Sequence, residues 1–216
     1  MQRTTETITG SEPTVLADFK ARIRVTDSGQ DSVLTSYLKV ARQLAEKHTR
    51  RAIVQRSVVL FMDSFCSKEG RRDEWWDGVR EGVISEMRGF PRAVNLPIPP
   101  LQSVTYVKTY DDNDTASTMD AATYLVDTSD KSVPGRIILR NGSVWPTALR
   151  SANAVEISYV AGYANGSVPD MIVEAIYRLA AYLYSNRGDC GGDCADKCGA
   201  SMILAPFVLM RPTDAD

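Results

Sequence analysis

The sequence predicts an α+β fold: helices from both ends of the chain pack together, a mostly antiparallel β region is inserted between them, and an extended C-terminal tail follows. Three observations predict it. Residues 31–48 and 168–187, near opposite ends of the 216-residue chain, carry apolar side chains at the 3.6-residue period of an amphipathic helix. Between them lie short stretches rich in β-branched and aromatic residues, separated by turn signals. Beyond the second helix comes a small, polar, cysteine-bearing stretch and then an apolar run over 200–210, where chain ends are ordinarily polar.

Taken in order, residues 1–12 are polar and predict a disordered N-terminus without the apolar core of a secretory signal. Val15, Leu16, Phe19 and Ile23 predict a short helix over 13–24. Asp31 or Ser32 can cap the next helix, whose apolar face is Val33, Leu34, Tyr37, Leu38, Ala41, Leu44, Ala45 and His48. Arg50 and Arg51 follow at its C-terminal end, where positive charge suits the helix dipole. A strand is predicted over 53–65 and a helix over 74–88, the latter with Trp75, Val79, Val83 and Met87 spaced four apart. Prolines between 90 and 100 force extended or turning chain. Strands are predicted at 103–110, 123–127, 136–140 and 154–160, with turns at 111–114, 134–135 and 141–142. Ser167 and Asp170 form a candidate capping pair for the second long helix, with Pro169 in its first turn, Ile172, Ile176, Leu179 and Leu183 on one face, and Gly188 as its stop. The organisation predicted is one α+β domain over 13–187, with 67–92 as an inserted helix and loop. A flexible linker over 188–199 and a docking tail over 200–216 follow.

The chemistry is sparse. Lys and Arg number 25 against 27 Asp and Glu, so there is no general attraction for phosphate and a dedicated DNA-binding role is disfavoured. Apolar runs such as 58–62 and 202–210 are too short to span a bilayer, so no membrane partner is expected. His48, the one histidine, sits on an apolar helix face, a poor basis for a catalytic triad. Cys190, Cys194 and Cys198 could hold zinc with Cys66 or His48 as a fourth ligand. Gly191 and Gly192 argue against the helix that would align them, so thiols without metal are the preferred reading and no cofactor is expected. Asp111 with Asp112, and Glu69 with Asp73, read as solvated turns, and no phosphate loop is present. Trp75 and Trp76 are adjacent and cannot both face one core; either both pack locally or one anchors an interface. Leu204, Pro206, Phe207, Val208, Leu209 and Met210 either dock on a partner or fold back on their own domain.

Several segments, in their joint order, carry a resemblance. They are the helix running into Thr49-Arg50-Arg51-Ala52, then Pro97-Ile98-Pro99-Pro100-Leu101-Gln102-Ser103-Val104, Pro134-Gly135-Arg136-Ile137, Trp145-Pro146, Ala161-Gly162-Tyr163, Val168-Pro169 and Leu204-Ala205-Pro206-Phe207. Together they resemble the bacteriophage head–tail connector family, over roughly residues 13–66 and 93–210. The resemblance implies a non-enzymatic structural subunit of the virion neck, assembled in the host cytoplasm. About twelve copies would form an adaptor ring below the portal protein. Its partners would be itself, the portal and the next neck or tail ring, with DNA passing through the channel without specific binding. The stretch 67–92 and the cysteines from 190 to 198 depart from the family pattern. The competing readings are a head-closure or tail-terminator ring protein, or a small zinc-stabilised binding module.

Overall fold

In the computed structural model the described residues are 2–65, 92–129, 133–187 and 194–209. They form helices and antiparallel sheets, an α+β fold. The single domain expected over 13–187 divides into two compact units: one of 1–7, 57–97 and 101–160, the other of 8–56, 98–100 and 161–216. The first is built of strands and the second of helices.

The helical unit contains α1 (Leu16–Ile23), α2 (Asp31–Thr49), α3 (Asp170–Ser185), α4 (Cys194–Lys197) and α5 (Ala200–Leu204). The two long amphipathic helices, α2 and α3, pack on each other as the periodicity predicts. Leu34, Leu38, Ala41 and Ala45 meet Ile172, Ala175, Ile176 and Leu179 in one core, each large side chain contributing about 1.5–3 kcal/mol by leaving water. Alanines on both helices let the backbones approach closely. Phe19 of α1 completes this core by stacking on Tyr177. His48 is half-buried on α2.

Helix starts differ from the expectation. α2 begins at Asp31, whose carboxylate pairs with Lys20 Nζ at 2.7 Å instead of capping. Ser167 does not cap α3; its hydroxyl donates to the Ala164 carbonyl, and Pro169 opens the helix with no side-chain cap. In both cases a tertiary or turn partner outcompetes the helix end for the short polar side chain. α3 ends at Ser185, before Gly188.

The β unit holds two sheets. β1 (Gln2–Ile8), β2 (Arg56–Met62), β4 (Leu101–Tyr110), β5 (Ala116–Thr118) and β8 (Val155–Ala161) form a five-stranded sheet in the order β1-β2-β8-β4-β5. β3 (Ala93–Asn95), β6 (Tyr124–Asp127) and β7 (Arg136–Leu139) form an antiparallel sheet, β3-β7-β6, in the register Ala93↔Ile138 and Tyr124↔Leu139. β1 corrects the expected disorder of 1–12. Every side chain of β1 is exposed, so it joins through its backbone and leaves no apolar alternation to read. β2 shows the alternation that predicted it, with Val58, Leu60 and Met62 buried. Phe65 stacks on Trp145 at 4.1 Å, which gives the Trp145-Pro146 motif a packing role. The expected helix over 74–88, with Trp75 and Trp76, lies outside the described residues.

Two glycines in the resemblance motifs have steric reasons. Gly162 has φ +96°, and a Cβ there would sit 2.4 Å from the Val54 carbonyl oxygen. The chain needs that approach for the parallel bridge between Val54 and Tyr163. A Cβ on Gly135 would meet Leu101 at 2.4 Å.

Candidate assembly surfaces

The C-terminal segment is where sequence reading placed most of the binding residues. Leu204 is fully buried in the core of the helical unit, and Ala200 with it. This corrects the expectation of a tail that leaves the subunit at 200: the segment folds back as far as Leu209. A 3-10 turn, Ala205–Phe207, follows α5. Arg51 Nε donates to the Phe207 carbonyl, and Arg50 Nη1 to the Leu209 carbonyl at 3.4 Å. The Leu209 N–H donates to the carbonyl of Thr49 at 3.1 Å. Thr49 is the last residue of α2, so this bond engages a carbonyl at the helix end, where no intrahelical donor follows. The Arg50-Arg51 pair, read from sequence as a dipole complement, thus also clamps the chain's far end. Pro206 is exposed, and Phe207, Val208 and Leu209 are half-exposed. Met210 lies outside the described residues. Sequence reading missed Met202, which is 83% exposed at the middle of α5. Its neighbours at Ala200 and Leu204 point the other way, a period that a five-residue helix is too short to display.

The expected linker 188–199 is also part of the fold where it is described. α4 packs on α3 and α5 with Ala195 buried. Cys194 and Cys198 are half-buried thiols, and Cys198 Sγ donates to the Ala195 carbonyl at 3.6 Å. Burial pushes the Cys198 thiol up. Among the described residues no three His, Cys, Asp or Glu converge to hold a metal; Cys66 and Cys190 lie outside them.

A buried ionic network fixes the turn out of α2. Glu46 accepts from Arg42 at 2.7 Å, from Arg56, and from the Ile53 and Val54 amides at 2.9 and 3.3 Å. Arg42 also reaches Glu12 at 2.9 Å. In the β unit, the Tyr106 and Tyr110 hydroxyls both donate to Glu156, at 2.5 and 2.6 Å. Lys108 lies over the Tyr106 ring and Arg150 over the Tyr110 ring, each at 4.2 Å. Burial alone would raise the Glu156 carboxyl, but the two hydroxyls, Lys108 and Arg150 outweigh it and hold the group below its ordinary range. The same bonds raise both tyrosines.

The chain belongs to the phage gp6-like head–tail connector family, whose model matches residues 13–134, more than half of its length. It is a structural head–tail connector and a virion component. No curated protein matches it. Among solved structures, the fold is shared with a chain in the neck of an empty gene transfer agent particle computed with C6 symmetry, at 22% identity and TM-score 0.70 over 96% of both chains. It is also shared with a chain of the native gene transfer agent virion, at 21% identity and TM-score 0.69 over 96% of each. A third match is to the neck of the native particle computed with C12 symmetry, at 21% identity, TM-score 0.62 and 96% of both chains.

Proposed function

We propose that copies of this chain close into a ring beneath the portal, joining the DNA-filled head to the tail and lining the DNA channel, without enzymatic activity. The observation that carries the reading is the family match, supported by a fold shared with necks computed with C6 and C12 symmetry, which suggests twelve copies. A closed ring has no free ends and multiplies modest contacts between copies. The net charge of −2 suits a wall past which duplex DNA slides without sticking.

The portal and the next neck or tail ring are the partners of this reading. On the portal side, the contact is the surface of the folded C-terminal segment, Met202, Pro206, Phe207, Val208 and Leu209, and Met210, outside the described residues, is proposed as a contact with them. Leu204 is its internal anchor, not a contact. Trp75 and Trp76 are proposed as a second contact. The test uses purified portal-bearing heads. The wild-type chain should co-sediment with them, and Met202→Asp with Pro206→Asp should weaken attachment at least about tenfold, one solvent-exposed apolar anchor being worth that much. Full attachment by the double variant overturns the C-terminal contact; failure of the wild-type chain to attach overturns the connector reading.

A further inference from the structure

The helical unit carries two surfaces of opposite character. The first is the outer face of α2, on which Val33, Ser36, Lys39, Val40, Gln43 and Lys47 are all exposed. Val33 and Val40, 46% and 43% exposed, lie seven residues apart and so share one side of the helix. The exposed charges on this face are lysines, because the acids of α2 are engaged elsewhere: Asp31 with Lys20, and Glu46 with Arg42 and Arg56.

The second surface is a cleft of about 560 Å³, lined by α1, the start of α3 and residues 53–54. Val15, Val168 and Val173 give it accessible apolar walls over a floor of buried Ile53, Tyr163 and Tyr177. Glu12, Asp18, Asp170 and Glu174 line it against a single arginine, Arg22. Glu12 is held by Arg42, and Glu174 by Arg22 and Arg178. Asp18 and Asp170 are exposed and have no ion pair among the described residues. Both sit in first turns, where the helix dipole accommodates a carboxylate and leaves its charge available to a cation. Val15, 54% exposed, lies beside them.

We infer that the outer face of α2 in one copy seats in this cleft of the next copy, Val33 and Val40 against the apolar walls and Lys39 and Lys47 toward Asp18 and Asp170. This rests on the ring reading and names the contact that builds the ring. The occupant is a second copy because the chain itself supplies the complement, an apolar helix face with positive charge for an apolar cleft with negative charge. The two surfaces differ, so each copy offers one to each neighbour. Such a heterologous contact repeats around a ring until it closes.

Charge reversal with compensation tests it, with oligomeric mass on the portal read by native mass spectrometry and folding checked by circular dichroism. Lys39→Glu/Lys47→Glu should weaken ring assembly at least about tenfold, and so should Asp18→Lys/Asp170→Lys, as expected when like charges face each other across a contact. The four substitutions together should restore rings. If Asp18→Lys/Asp170→Lys fails to fold, Asp18→Asn/Asp170→Asn replaces it, with weaker assembly expected. Rings formed at wild-type concentration by folded Asp18→Lys/Asp170→Lys, or by Asp18→Asn/Asp170→Asn where that replaces it, overturn the inference, as does failure of the folded combined variant to recover. If the wild-type chain forms no ring on the portal, the ring reading itself falls, a result separate from either of these.

Discussion

Glu46 shows what a single residue holds together here. Its carboxylate serves two buried arginines and two backbone amides at the turn out of α2. Glu46→Gln removes the charge and leaves Arg42 and Arg56 under-compensated, at a cost of about 3–5 kcal/mol that a urea midpoint would register. A loss within about 0.5 kcal/mol, the range of ordinary surface substitutions, would contradict this role. Asp127, bonded by Ser129 and Arg136, is held down to about 2, and Glu156 lies below its ordinary range. A carboxyl depressed in the folded state stabilises above its unfolded value and loses that contribution as pH falls through the folded one. Thermal stability should therefore fall between about pH 5 and pH 2, and Asp127→Asn with Glu156→Gln should flatten that fall. At this scale the sequence is only partly legible. Gly135 and Gly162 stand out there as family motifs, while the reason, a carbonyl or a leucine 2.4 Å from the missing Cβ, depends on residues far along the chain.

Among elements, the long helices are legible because periodicity is local and their burial follows it: α2 and α3 pack as read. Strand β2 is legible for the same reason. β1 is not, because a strand exposed on every side chain has no apolar pattern. It gains backbone bonds worth about 0.5–1.5 kcal/mol each and no burial, against an ordering cost of about 1–2 kcal/mol per residue. Its amides should exchange with deuterium faster than those of β2 and β8, and deleting 2–8 should change the unfolding midpoint little. Protection of β1 equal to that of β8 in the isolated chain would contradict this. The C-terminal segment is half legible. Its apolarity is plain, and its two faces are not. Leu204→Ala should cost about 2–5 kcal/mol by opening a cavity in the core, while Met202→Ala should leave stability within about 0.5 kcal/mol. Denaturant unfolding of the two variants separates the inward side chain from the outward one.

For the whole molecule, the helical unit draws on residues 8–56 and 161–216 and on residues 98–100 between them. Reading contiguous stretches suggests one domain with a tail, because nothing local marks where the chain leaves one core and returns to it. The return at 98–100 is made by backbone bonds, Ala52 N–H to the Pro99 carbonyl and Gly162 N–H to the Pro100 carbonyl, both at sites the resemblance motifs contain. The family was therefore legible where the physical reason was not. The ring proposed above draws on the near-neutral charge, on the folded-back C-terminal segment and on the inferred pairing of the α2 face with the cleft of the next copy. The most direct test is a cryo-electron reconstruction of the neck in particles that contain this chain. A closed ring of its copies directly beneath the portal is the result expected; a neck in which that position is filled by another protein, with this chain absent, would contradict it.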